Sequence, residues 1–309
     1  MPLSSDQKGP PTRTLASRKP LSAHMRLSPR PRPRRRSWGF EANVSSVSET
    51  PEELEQRRRL EQWDVLCLRA SNPGPLTLSG TNTWIVGRDP AYLIDPGPAL
   101  EEHIEQLLEA ISARGGLGGI ALTHDHPDHS EAVPILRQRT GAPLAAARGQ
   151  TDVKLEQGGR FGPFQALHTP GHSSDHYALI SETVCFTGDA VLGEGSVFIA
   201  PEPGALAGYL NGLKQLQEYP LDVLCPGHGP AIWNPQAKLE QYIEHRLERE
   251  RNLIGALQSG ARTVSELLDR AWSDVPEQLR AMAAVTLAAH LDKLGDEGRL
   301  PDGVERPTW

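Results

Sequence analysis

Apolar positions along the chain follow two regimes that change over near Asn234-Pro235. Before that point they come as short apolar or β-branched runs: Val65–Ala70, Thr83–Val86, Ala91–Ile94, Ile120–Leu122, Phe164–Leu167, Tyr177–Ile180, Val184–Phe186 and Val223–Leu224, with a further run around Leu144. Turn clusters such as Asn72-Pro73-Gly74-Pro75 and Gly87-Arg88-Asp89-Pro90 separate them, so these runs predict strands. Between them, Leu100, Ile104, Leu107, Leu108 and Ile111 recur at the 3–4 spacing of one buried helical face. Further helices are expected from about Asp128 to Arg139 and over about Ala205–Gln217. After Pro235 only helical periodicity remains. Leu239, Ile243, Leu247, Ile254 and Leu257 mark one long helix ending near Gly260. Thr263-Val264-Ser265-Glu266 is a capping box that opens a second. Leu279, Ala283, Leu287, Leu291 and Leu294 stripe a third, and Gly298–Val304 has the composition of a small hairpin.

The pattern therefore predicts a mixed α/β domain over 61–235 and a small winged-helix-like helical domain over 236–309, preceded by an extension and linker over 1–60. Pro51-Glu52-Glu53-Leu54 begins a short charged helix or linker. Three helices and a terminal hairpin are the basis of the winged-helix expectation. A length of 309 residues suits two domains at about 150 residues each. No run reaches the roughly 18 apolar residues of a membrane span, which excludes an integral membrane protein of helical type. Three cysteines, Cys67, Cys185 and Cys225, are too few for a disulfide-built secreted scaffold.

Net charge is −7, but it is unevenly spread. Residues 1–40 hold eight Arg and two Lys against the single acid Asp6, a net of +9, which leaves 22 basic and 38 acidic residues for the remainder, a net of −16. Seven prolines lie in the same stretch. Such a segment has little to bury and repels itself, so it reads as a disordered, solvated extension, with Met25 an alternative start. Secretion signals need an apolar stretch after the arginines, whereas the chain continues Trp38-Gly39-Phe40-Glu41-Ala42-Asn43. The expected location is cytoplasmic, or mitochondrial in a eukaryote given the Arg/Ser-rich start.

Histidine placement carries the chemistry. His124, His126, Asp128 and His129 fall within Thr123-His124-Asp125-His126-Pro127-Asp128-His129, directly after a predicted strand. Four imidazole and carboxylate donors in six positions are the ligand types of catalytic zinc, and strand-end loops are where α/β folds place reactive groups. Three more strand ends place such a residue next to glycine: Gly171-His172, Gly188-Asp189 and Gly227-His228. Five His and two Asp are enough for two metal ions.

His124-x-His126-x-Asp128-His129 followed by His172, Asp189 and His228 resembles the metallo-β-lactamase superfamily. That resemblance implies an αββα sandwich with a dinuclear site at one edge. Asp95 in Leu93-Ile94-Asp95-Pro96-Gly97 matches the family's early strand-end aspartate, which supports the site. The segment Asn72–Thr83, the sequence Gly193-Glu194-Gly195 and the helical tail from Gln236 resemble the lactamase-beta-2-like branch. That branch carries a C-terminal winged helix, and an animal mitochondrial member is a single-strand-specific endoribonuclease. The likeness spans about Trp63 to Leu300; Ser130-Glu131-Ala132 departs from the Gly-rich continuation usual there.

Carried over residue by residue, the resemblance implies one zinc on His124, His126 and His172, a second on Asp128, His129 and His228, and Asp189 bridging them. Iron and manganese are the alternative metals. The implied reaction is hydrolysis by a metal-bound hydroxide, with Asp128, Asp95 and His176 as catalytic or supporting residues; His176 is weighed between orienting substrate and a role behind the ligands or in the core. Asp189 stands where the main lactamase subclass has Cys, so β-lactam hydrolysis is the weaker reading. Ester, thioester and single-stranded RNA substrates remain as alternatives, beside a non-catalytic nucleic-acid-binding role. Residues 236–309 hold ten basic and thirteen acidic residues, so the helical domain reads as a packing or dimerisation element, compatible with a homodimer. Tyr209 is weighed between pocket lining and core, Cys225 reads as a core thiol, His168 as structural, and His103, His245 and His290 as surface or packing residues.

Overall fold

The computed structural model describes residues 50–199 and 201–308. The basic extension over 1–40 lies outside them. A ten-residue helix, α1 (Pro51–Leu60), opens the described chain, with Thr50 and Glu53 forming a capping box. Two sheets follow. The first has six strands in sequence order: β1 (Val65–Arg69), β2 (Asn82–Val86), β3 (Ala91–Ile94), β4 (Leu117–Ala121), β5 (Leu144–Ala146) and β6 (Val153–Lys154). The second has five: β7 (Arg160–Phe161), β8 (Phe164–His168), β9 (Tyr177–Ser181), β10 (Val184–Gly188) and β11 (Val223–Pro226), ordered β11-β10-β9-β8-β7.

Successive side chains of a strand point to opposite faces, and that alternation assigns the layers. On β10, Val184 and Phe186 enter the seam between the sheets while Cys185 faces outward. On β11, Val223 and Cys225 enter the seam and Leu224 faces outward. Trp84 and Val86 of β2 meet them from the first sheet, and Ile85 points the other way. Phe186 lies 6.0 Å from Trp84 in a tilted pair and 5.9 Å from Phe164 edge to face. Truncating such a buried ring costs about 3–5 kcal/mol.

Helices α2 (Glu101–Ala113), α3 (Pro127–Ser130) and α4 (Val133–Thr140) lie in the β3–β5 connections, and Ile104, Leu107 and Leu136 cover the outer face of the first sheet. On the second sheet the cover is α5 (Ala205–Gln217) and the start of α6 (Pro235–Gln258), through Leu206, Leu213, Leu216 and Leu239. The result is the expected αββα sandwich. A separate apolar cluster joins the end of α6, α7 (Val264–Ala271) and α8 (Arg280–Asp296) through Leu253, Leu257, Leu267, Leu287, Leu291 and Leu294.

Three local expectations are corrected. The helix expected over 128–139 is two helices, because Pro134 has no N–H to return to Ser130 and the Ala132 amide bonds Gly97 O instead. The segment 298–304 forms no strand pair among the described residues; the tail folds onto the start of α7 through Glu305 N–H to Arg262 O (2.8 Å). Leu279 lies before α8 and is 43% exposed, so it is not part of that helix's buried stripe.

His290 of α8 is fully buried, and neither ring nitrogen has a partner among the described residues. Trp272 meets its ring edge-on, and the cations Arg246, Lys293 and Arg249 lie around it together with the titratable ring of His245. Burial first, then those cations, push its pKa down to about 3. The folded state therefore keeps His290 neutral while the unfolded chain takes up a proton below about pH 6.5, so this residue costs stability as pH falls. His290→Leu is expected to raise stability by about 1–3 kcal/mol at neutral pH, by removing two unsatisfied buried atoms. The gain should grow by about 2 kcal/mol at pH 5. Urea unfolding of both proteins at pH 7.5 and pH 5 measures it; an identical gap at the two pH values would count against the assignment.

Candidate metal centre

β3 runs parallel to β4 and β10 parallel to β11, so within each sheet their carboxyl ends share one edge, and Asn82 N–H to Gly227 O (2.7 Å) brings the start of β2 against the end of β11. β8 has the same direction as β10, since each pairs antiparallel with β9. Asp95 follows β3, His124 follows β4, His172 follows β8, Asp189 follows β10 and His228 follows β11. The topology thus brings residues more than 130 positions apart to one place. Gly188 and Gly227 make the approach feasible. A Cβ on Gly188, which has φ +45°, would stand 2.4 Å from Thr123 Oγ1, and one on Gly227 would stand 2.4 Å from Asp189 Oδ1.

All seven expected ligand residues converge. His124 Nε2 and His172 Nε2 lie 3.0 and 2.9 Å from His126 Nδ1. Asp128 Oδ2 lies 3.4 Å from His129 Nε2 and 3.3 Å from His228 Nε2. Asp189 faces both groups: its carboxylate is 3.5 Å from His172 Nε2, 3.6 Å from His129 Nε2 and 3.4 Å from His228 Nε2. The sets His124–His126–His172, His124–His129–Asp189 and Asp128–His129–His228 each keep their donor atoms within 4.8 Å of one another.

Hydrogen bonds behind the rings decide which nitrogen faces inward. Thr123 Oγ1 gives its proton to Asp95 Oδ2 (2.7 Å), so at 3.0 Å it accepts from His124 Nδ1–H. His129 Nδ1–H donates to Asp95 Oδ2 (3.0 Å), His172 Nδ1–H to Phe198 O (3.2 Å) and His228 Nδ1–H to Gly80 O (3.3 Å). In the neutral imidazoles, these four acceptors leave the Nε2 lone pairs pointing into the cluster, as a metal requires. His126 alone presents Nδ1. Thr81 Oγ1 donates to Asp128 Oδ2 at 3.0 Å and fixes that carboxylate.

Among the protein groups alone, the charges already mimic cations. Burial would lower the His129 pKa, but the Asp189 and Asp95 carboxylates outweigh it and hold the ring protonated well above the usual range. His228 is likewise raised to about 9 against burial, by hydrogen bonds to Asp128 and Asp189. Burial would raise Asp128, yet His228 and His129 bring it to about 2. Burial and the neighbouring His129 push His124 well below its usual value. Two buried atoms, His129 Nε2 and Asp189 Oδ1, have no hydrogen-bond partner among the described residues. Unsatisfied donors aimed at a shared point fit divalent cations bound by imidazole and carboxylate.

Asp95 and His176 occupy different places from those a substrate-touching role needs. Asp95 is 1% exposed and accepts Thr123 N–H (2.8 Å), Thr123 Oγ1–H and His129 Nδ1–H. It braces Thr123 and the His129 ring from behind the cluster. His176, weighed as a substrate-orienting residue, is wholly buried. Its Nε2 accepts the Asp189 N–H (3.1 Å) and its Nδ1 bonds Thr169 Oγ1 (2.9 Å), so it holds the Asp189 turn. Tyr209 is core, with its hydroxyl on Ala190 O at 2.7 Å. Cys225 lies in the inter-sheet seam, and His168 stacks on Tyr177 at the sheet edge. His103 is buried against Thr83 Oγ1 at 2.9 Å. Thr81, Thr123 and Asp175, which accepts the Asp125 N–H at 3.1 Å, had no role assigned from sequence. Their one local signal is a small polar residue at a strand end or beside a ligand.

Residues 76–156 and 149–228 match the family model of the Metallo-beta-lactamase superfamily, and residues 263–303 match that of the Beta-lactamase associated winged helix domain. The chain is 30% identical over 247 residues to the Beta-lactamase-like protein 2 homolog of Caenorhabditis elegans, an overlap of 74% of this chain and 82% of that protein. It is 34% identical over 240 residues to the Atrochrysone carboxyl ACP thioesterase of Aspergillus chevalieri, covering 71% and 76%. A solved Beta-lactamase domain protein from Burkholderia ambifaria shares the fold, with a TM-score of 0.65 at 20% identity over 78% of this chain and 89% of that one. Among the described residues no helix is long and apolar enough to cross a membrane. With its αββα sandwich, its strand-end histidines and its C-terminal winged helix, the chain belongs to the metallo-beta-lactamase superfamily.

Proposed function

We propose that the protein is a dinuclear metallohydrolase, with zinc as its metal, that cleaves thioesters or related esters. The observation that carries this reading is the convergence of five imidazoles and two carboxylates around the partnerless His129 Nε2 and Asp189 Oδ1. His124, His126 and His172 would hold one cation, Asp128, His129 and His228 the other, and Asp189 would serve both. Such cations supply Lewis acidity and a nucleophile ionised near neutral pH. The chain's own part is to fix donor direction. Asp95, Thr123 and the Phe198 and Gly80 carbonyls set the tautomers, Thr81 orients Asp128, and His176 holds the Asp189 amide.

For the substrate, a relative named as a thioesterase at 34% identity supports the thioester reading. The net negative C-terminal domain weakens the case for RNA. Elemental analysis of protein purified without chelator is expected to give about two metal ions per chain. The zinc-loaded protein is then tested on S-lactoylglutathione and other thioesters, simple esters, lactones, single-stranded RNA and β-lactams. The highest kcat/KM is expected on thioesters. Fewer than one metal per chain would overturn the hydrolase reading, and turnover of RNA alone would replace thioester by phosphodiester.

A further inference from the structure

One face of α6 grips the segment 192–198. Lys238, Tyr242 and Arg246 recur every fourth residue and so share that face. Lys238 Nζ donates to Gly193 O at 3.3 Å. The Tyr242 hydroxyl accepts Leu192 N–H at 3.2 Å and donates to Gly195 O at 3.0 Å. Arg246 Nη2 donates to Ser196 Oγ at 3.1 Å and to the Val197 carbonyl. Arg246 is 3% exposed, and its guanidinium lies 5.5 Å from the Tyr209 ring centroid. Its Nε has no partner among the described residues. No carboxylate pairs with it among the described residues, and burying an unpaired guanidinium is expensive, so its presence points to a task other than stability.

The inner side of the same segment reaches the metal centre. Gly193 N–H donates to His228 O at 2.9 Å. The Phe198 carbonyl accepts His172 Nδ1–H, and the Phe198 ring stands edge-to-face to His172 at 6.2 Å. Asp189 lies three residues before the segment begins. The strap thus runs from a helix of the C-terminal portion to the backs of two ligand residues.

We propose that Tyr242 and Arg246 are positioning residues that act through the segment 192–198 to hold His172 in its ligating orientation. This rests on the reading above that His172 ligates a metal. Groups that orient ligands from behind typically govern metal affinity by tenfold or more.

The test uses the full chain loaded with zinc and titrated with a chromogenic chelator. Tyr242→Phe removes one hydroxyl, and Arg246→Met removes the guanidinium while keeping the unbranched apolar stem. Both are expected to release one of the two zinc ions at about tenfold lower chelator concentration than wild type. Cobalt(II) substitution should show an altered d–d absorption spectrum for that ion, and Arg246→Lys should restore part of the affinity. Leu267→Ala, in the C-terminal core, is expected to lower Tm without moving the chelator titration. Folded Tyr242→Phe and Arg246→Met proteins that titrate like wild type would overturn the proposal. So would a Leu267→Ala shift as large as theirs. If Arg246→Met does not fold, Tyr242→Phe decides alone. Wild-type protein that binds no zinc would overturn the hydrolase reading along with the proposal, whereas two ions in wild type and unchanged variants overturn only the proposal.

Discussion

Asp189→Ala is expected to lower kcat roughly a thousandfold, equivalent to several kcal/mol of transition-state stabilisation, while the fold persists. Among the described residues, Asp189 is the one carboxylate within 3.6 Å of His129, His172 and His228, so it faces both candidate ligand sets. Without it the two sets lose their shared member, and metal content should fall from about two toward one per chain. The fold tolerates the change because the turn is held from the backbone: His176 Nε2 takes the Asp189 amide proton, and Gly227 N–H donates to Gly188 O at 2.8 Å. His129 and His228 each lose one of the two carboxylates that hold them protonated, keeping Asp95 and Asp128 respectively, so both pKa values fall. Circular dichroism and metal analysis should accompany the kinetics. Turnover at the wild-type rate would locate the chemistry elsewhere.

Asp95→Asn should have the second-largest effect, and on a different quantity. The carboxylate accepts three donors in a sealed region: Thr123 N–H on Oδ1, and Thr123 Oγ1–H and His129 Nδ1–H on Oδ2. An amide cannot satisfy all three. Either orientation turns its NH2 toward a donor, leaving at least one buried group unpaired at about 1–3 kcal/mol. With NH2 facing His129 Nδ1, the neutral ring moves its proton to Nε2 and closes the lone pair a metal needs. Metal affinity should therefore fall about 10–100-fold, with Tm lowered as well. Asparagine is the informative replacement because Asp95 has φ +49°, a backbone conformation that Asn tolerates and Ala does not. Chelator competition measures the affinity. An unchanged midpoint would show that Asp95 has no part in presenting His129.

What could be read from the sequence follows from how narrow each signal is. The cluster of candidate ligands was legible because His-x-His-x-Asp-His after an apolar run has few other uses, and because glycine beside His172, Asp189 and His228 marks chain that must approach closely. The mixed α/β domain was legible from short strands broken by turn residues, and its αββα layering only from the resemblance to a known family. The groups that aim the ligands were not. Phe198 O and Gly80 O are main-chain atoms with no side-chain signature, and Thr123 acquires its role only once β3 and β4 lie side by side. For His176 the two readings stayed open, because nearness in sequence to His172 does not reveal that its ring points into the interior. His290 looked unremarkable on a helix, since periodicity cannot tell which polar residue falls on the inner face. The polar stripe of α6 was hidden in the same way: Tyr242 lies within the apolar pattern, and only its hydroxyl tip reveals the strap.

The alternation along the second sheet has a consequence for watching this protein come apart. Cys185 faces the outer helical layer and Cys225 the seam between the sheets, and burial pushes both thiols far above their ordinary range. Thiols held neutral and sealed react only when their surroundings open. Native chemistry therefore provides two internal reporters, one for each face of a single sheet. Their relative labelling rates order the events of opening: lifting of α5 and α6 exposes Cys185, and parting of the two sheets exposes Cys225.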